Sequence, residues 1–304
     1  MSKQVCRIIT HVDGNLKFDS QSQNYTIKGG GLDDYCPPVE GSEKVKCNSD
    51  DEKISSSFIV LINMLIGNND KENIESDKLA EYAILWLSYI LNQKEQNGSI
   101  KLNDFYTKHI KKNTHYNEKI KNCKGNTTNK EFIDKKKYLM NMNIKDLSNF
   151  YKVFEILCKM YNTCNETTKI CNNFVEKAKE FDKKYKELNE DPKNKSDSYK
   201  NVLYSLSTDY NNFKKYCAEN NSDCKDNSSF PEIEIPEGPF EIFEDTSSSS
   251  SIASKLIPSL LIFAIPVFLG IAYKYSLFGF DKLFQRQYIR IKLKKIQKKM
   301  KLNI

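Results

Sequence analysis

Nine cysteines and three histidines are the residues of this chain best suited to chemistry, and their spacing decides which chemistry is open to them. The cysteines are Cys6, Cys36, Cys47, Cys123, Cys158, Cys164, Cys171, Cys217 and Cys224. No paired C-x-x-C motif occurs, and His11, His109 and His115 do not sit near the cysteine cluster, so a zinc site is not expected. None of the histidines belongs to an H-E-x-x-H or G-x-S-x-G motif, and the glycine run Gly29 to Gly31 lacks the Lys-Ser/Thr of a phosphate loop. No catalytic, cofactor-binding or metal-binding residue is assigned, and the glycine run reads as a turn.

Disulfides are the remaining use of these thiols. All nine lie before residue 225, which suits an oxidising compartment for that part of the chain, and the odd number leaves at least one thiol outside intrachain pairs. Spacing suggests Cys36 with Cys47 across a loop and Cys217 with Cys224 beyond a helix end, while Cys158, Cys164 and Cys171 group around a helix turn. Seven N-x-S/T sequons begin at Asn24, Asn97, Asn126, Asn165, Asn194, Asn220 and Asn227, but an Asn-rich chain generates them by chance.

The elements that would position these residues are mostly helical. Leu79, Ala83, Trp86, Leu87, Ile90 and Leu91 recur at helical spacing behind Asp77, a candidate N-cap, with Glu81 placed to favour the helix dipole. Ile144, Leu147, Phe150, Phe154, Leu157 and Tyr161 form a second stripe behind Asn143, and Val202, Leu206, Tyr210, Phe213 and Cys217 a third. Leu102 to Lys121 and Asn165 to Leu188 carry weaker, charged helical patterns. Aromatics at this spacing are expected to be core, and strand content to be minor. Residues 1–50 look loop-rich, with turn formers at Gly29 to Gly31 and Tyr35 to Pro38, and residues 51–221 read as the helical core.

Beyond residue 221 the composition changes. Residues 222–254 are rich in Ser, Pro and acidic side chains and read as a stalk unable to order itself. Leu256 to Tyr273 is eighteen residues without a charge, about 27 Å as a helix, so residues 255–273 are expected to cross a membrane once. Pro258 and Pro266 are compatible with such a span. The runs Phe58 to Ile66 and Tyr82 to Leu91 are too short and read as core helix. The N-terminus lacks the apolar stretch of a signal peptide, so no cleavable signal is expected.

Charge orients the span. Residues 274–304 hold ten Lys/Arg against one Asp, while the chain before Lys255 holds 36 basic against 39 acidic residues. The near-neutral head argues against a nucleic-acid partner, and the basic tail is expected on the cytoplasmic side with the head extracellular or lumenal. Ile289, Leu293, Ile296 and Met300 recur on one helical face among Arg286, Arg290, Lys292, Lys294, Lys295, Lys298, Lys299 and Lys301, a pattern suited to an anionic inner leaflet or serving only as a topology signal. The fold class is therefore mainly α: a helical, disulfide-containing ectodomain with one C-terminal transmembrane helix.

Several long strings resemble the Plasmodium interspersed repeat family, the Cir/Bir/Yir variant antigens. They include YCP at Tyr35 to Pro37, AEYAILWLSYILNQ at Ala80 to Gln93, LNDFY at Leu102 to Tyr106 and DKKKYLMNMNIKDLSNFY at Asp134 to Tyr151. EKAKEFDKKYKELNED at Glu176 to Asp191, DYNNFKKYC at Asp209 to Cys217 and the C-terminal SSSSSIASKLIPSLLIFAIPVFLGI with YKYSLFGF extend the likeness to nearly the whole chain. The resemblance implies a non-enzymatic variant antigen, displayed on the infected red cell, the parasite plasma membrane or the vacuole membrane, evading immunity and binding a host receptor or antibody. The alternative it leaves is an internal membrane protein acting in trafficking or scaffolding. Asp281, Leu283 and Phe284 depart from the family's usual basic stretch after the span.

Overall fold

The structure is a computed structural model, and it describes residues 1–42, 44–69, 74–94, 101–120, 126–163, 172–191, 196–220 and 230–240. The expected span at 255–273 and the basic tail lie outside these residues. Among the described residues no helix is long and apolar enough to cross a membrane.

Helix α3, Ser76–Asn92, is the central element, with Leu79, Tyr82, Ala83, Leu85, Trp86 and Leu87 all fully enclosed. A helix apolar on every face has to be surrounded, and α6, Ile144–Thr163, packs along it, with α2, Asp50–Gly67, on another side. Tyr82 stacks on Phe154 and Tyr89 on Tyr151 across the α3–α6 contact, with centroids 4.9 and 4.6 Å apart. Helices α7, Asn172–Asn189, and α8, Asp197–Asn220, pack on α6. The two short apolar runs lie inside α2 and α3, as core helix.

Local signals set the helix ends. A capping box opens α2, where the Ser49 hydroxyl accepts from the Glu52 N–H and Glu52 accepts from Ser49. Asp50, Asp51 and Glu52 then place negative charge at the positive end of the dipole. Thr128 and Glu131 repeat the box at α5, Asn129–Asp134. Asp77 is not the cap of α3; the helix starts at Ser76, and Asp77 lies in its first turn, 3.6 Å from Lys136.

Two regions correct the sequence reading. The loop-rich description of residues 1–50 fails at its start: Lys3–Asn15 form helix α1, followed by a hairpin of β1, Leu16–Asp19, and β2, Asn24–Ile27. Val5, Ile8, Ile9 and Val12 give α1 a buried stripe, and Ser2 caps it by accepting from Val5 N–H at 3.2 Å. The weak helical pattern at Leu102 to Lys121 resolves into short pieces: α4, Leu102–Phe105, a π-turn, Tyr106–Ile110, and a 3-10 turn, Thr114–Asn117.

The stalk expected at 222–254 is corrected over the stretch that is described, 230–240; residues 222–229 and 241–254 lie outside the described residues. Residues 230–240 form an ordered strap on the head, with Phe230 and Ile233 buried in the core. Two tyrosines hold its backbone, Tyr210 donating to Pro231 O at 2.9 Å and Tyr185 to Glu234 O at 3.0 Å. The expectation of disorder weighed composition and missed two apolar anchors three residues apart.

Candidate interaction face and buried polar network

Among the described residues two disulfides pin the head. Cys36 bonds Cys47, the pair that loop spacing suggested, and Cys6 bonds Cys158, joining α1 to α6 across a separation of 152 residues. Cys217 is buried on α8; Cys224, its expected partner, lies outside the described residues with Cys123, Cys164 and Cys171. The tail residues Arg286, Arg290, Lys292, Lys294, Lys295, Lys298, Lys299 and Lys301 lie outside them too.

Two polar networks run through the core. Asp13 on α1 accepts from Trp86 Nε1 at 2.5 Å and from the Tyr151 hydroxyl at 2.6 Å, so one carboxylate ties α1 to α3 and α6. Burial raises the Asp13 pKa, although both hydrogen bonds pull it down. A cleft of about 520 Å³ opens beside it, with Tyr89, Phe154, Lys17 and Glu155 in its wall.

The second network centres on Asp209 of α8. It accepts from the Tyr82 hydroxyl at 2.9 Å and pairs with Lys78 and the Met1 ammonium, each at 3.2 Å. Lys78 also bonds Ser205, which donates to Glu81, and Glu81 meets Lys136 at 3.2 Å. Glu81, read from sequence as a dipole partner, is in fact a buried member of this lock. Burial, followed by the charges of Asp209 and Glu81, drives the Tyr82 pKa well above its ordinary value. These groups answer one another across α1, α3 and α8, an arrangement that fixes helix register.

The surface offers a different feature. The Cys36–Cys47 disulfide closes a loop in which Val39 N–H donates to Lys44 O at 2.8 Å and Lys46 N–H donates to Pro37 O at 2.9 Å. Gly41, at φ +72°, makes its turn. Sequence reading found the disulfide and missed the loop's apolar tips, Val39 and Val45, which stand exposed.

Comparison with known proteins matches this architecture. The family model described as Plasmodium variant antigen protein Cir/Yir/Bir matches residues 6–274. A solved structure titled "Structure of a Plasmodium PIR protein ectodomain" is 33% identical, with a TM-score of 0.61, and the match covers 78% of this chain and 98% of that one. No curated protein matches. With 33% identity across the head and a family match running to residue 274, the chain belongs to the Plasmodium Cir/Yir/Bir (PIR) variant antigen family.

Proposed function

We propose that this chain is a single-pass variant surface antigen whose helical head is displayed on the outer or lumenal side of an infected-cell or parasite membrane. There it meets antibodies and binds a host cell-surface protein. The observation that carries the reading is where the two matches divide: the relative titled an ectodomain is covered almost completely, while the family match continues to residue 274 and so includes the apolar run at 256–273. That run is long enough for one span, and the Lys/Arg excess after it favours a cytoplasmic C-terminus. The two disulfides suit a head folded in an oxidising compartment.

Alkaline carbonate extraction tests the anchor. Full-length protein should stay in the membrane pellet, and a chain lacking residues 256–273 should pass into the supernatant. Extraction of the full-length chain would defeat the reading.

A second reading, trafficking or scaffolding through the tail, draws on the apolar face of Ile289, Leu293, Ile296 and Met300 among the basic residues. It requires that deleting residues 284–304 mislocalise the protein. Normal placement of the truncated chain would remove it.

A further inference from the structure

The cleft beside Asp13 is lined by α1, β1, α3 and α6, and one wall of it is a run of aromatic rings. Tyr89 stacks on Tyr151 at 4.6 Å, and Tyr151 meets Phe154 at 5.8 Å, with Ile9 and Leu16 adding apolar surface. Its volume of about 520 Å³ falls within the range of small-molecule sites, about 300–1,000 Å³. Such sites pair apolar walls with a few polar groups, and here those groups decide what fits.

The charged side chains lining the cleft are Asp13, Lys17, Glu155 and Lys159, and they are not equivalent. Glu155 and Lys159 pair with each other at 2.9 Å across one turn of α6, and Lys17 stands exposed on β1. Asp13 is half-buried and has no ion-pair partner among the described residues; its hydrogen bonds come from the neutral donors Trp86 and Tyr151. A carboxylate has about four acceptor positions, so roughly two at Asp13 stay open. Burial outweighs both bonds and Lys17 in raising its pKa, and Glu155 adds to the rise, so the charge is short of compensation.

A second acceptor stands further along the same cleft. Asn162 follows Tyr151 on α6 by about 16 Å of helix. Its Nδ2 donates to the Thr10 hydroxyl at 3.3 Å, while its Oδ1 is buried without a hydrogen-bond partner, a cost that a bound donor would remove. Aromatic faces and a carboxylate both attract a cation, and the open acceptors call for N–H groups. A quaternary ammonium would satisfy the rings but has no N–H to give, and an anion would meet Asp13 unfavourably.

We propose that this cleft binds an elongated amphipathic primary amine, its ammonium at Asp13 and its apolar body lying along Tyr89 and Phe154 toward Asn162. A soluble amine and the ethanolamine headgroup of a lipid share this chemistry. The site is separate from any surface that meets a host protein, so it stands or falls independently of the displayed-antigen reading.

The test uses full-length protein in phosphatidylcholine nanodiscs, with empty nanodiscs as the blank, and dansylcadaverine, a primary amine whose fluorescence rises on leaving water. Wild type should bind it, and the analogue ending in a hydroxyl in place of the ammonium should bind about tenfold more weakly or worse. Asp13→Asn should bring the two ligands to equal affinity. Gly14 lines the cleft, and a Cβ there meets nothing within 4 Å, so Gly14→Phe should fill the space and abolish binding without lowering the melting temperature. Displacement of the probe by n-octylamine but not by phosphatidylethanolamine vesicles would assign a soluble amine, and displacement by both a lipid headgroup; each upholds the site. Equal affinity of wild type for the amine and the hydroxyl analogue, wild-type binding by Gly14→Phe, or no binding by wild type would overturn it.

Discussion

Asn201 pairs with both backbone polar groups of Phe240: its Nδ2 donates to the Phe240 carbonyl at 2.8 Å, and its Oδ1 accepts from the Phe240 N–H at 2.7 Å. A side-chain amide thereby acts as a strand partner at the far end of the strap, and Lys200 lies 5.0 Å over the Phe240 ring. Asn201→Ala should remove both hydrogen bonds and loosen the strap by about 1–3 kcal/mol. Hydrogen exchange should then quicken at residues 236–240 with α3 unchanged. Equal protection in the variant would mean that Phe230 and Ile233 hold the strap without the clamp.

The two disulfides should differ in weight because they close loops of different size. Replacing Cys6 and Cys158 with serine opens a separation of 152 residues and should cost about 4–5 kcal/mol, whereas the Cys36 and Cys47 pair closes 11 and should cost about 3 kcal/mol or less. Denaturant midpoints of the two double variants measure the difference. A larger loss from the small loop would show that native-state packing, not loop closure, dominates.

Two aspartates should respond to pH in opposite directions. At Asp50 burial is outweighed by Lys94, Lys53 and the Tyr25 N–H, so its pKa is lowered. Its contribution is present above the ordinary carboxylate range and is lost as pH falls through the lowered value. At Asp13 the raised pKa means the folded state holds the proton longer, so its contribution favours low pH and fades as pH rises from about 4 through the raised value. Asp50→Asn should flatten the acid limb of the stability curve, and Asp13→Asn should flatten the decline above it. Parallel curves for both variants would contradict the assignment.

Gly30 holds φ +72°, and a Cβ there would lie 2.9 Å from His11 Nε2 and 3.0 Å from Asn15 Nδ2. Gly30→Ala should destabilise by about 1–2 kcal/mol through the left-handed backbone alone. Thermal melting checks this, and Gly14→Ala, which meets nothing within 4 Å, serves as the control. A neutral Gly30→Ala would show that the turn relaxes freely.

The legible parts of the fold were those whose apolar spacing repeats over many residues. Leu79, Trp86 and Ile90 marked α3, and Phe150, Phe154 and Tyr161 marked α6, because each stripe runs for several turns. The stripe of α1, Val5, Ile8, Ile9 and Val12, runs for little more than two turns, so it reads less plainly than those of α3 and α6. The strap was missed because its prolines and acids outweigh Phe230 and Ile233 in composition, while its order comes from hydroxyls on α7 and α8 that no local window contains. Cys36 with Cys47 was readable from separation; Cys6 with Cys158 was not, because only the packing of α1 on α6 brings them together.

The central claim is that the head is displayed outside and the tail inside. Protease shaving of intact infected red cells, blotted with one antibody to the head and another to residues 285–304, tests it most directly. The account predicts loss of the full-length head signal and survival of a small, membrane-protected tail fragment. Full protection of both epitopes, with digestion only after permeabilisation, would contradict surface display on the red cell.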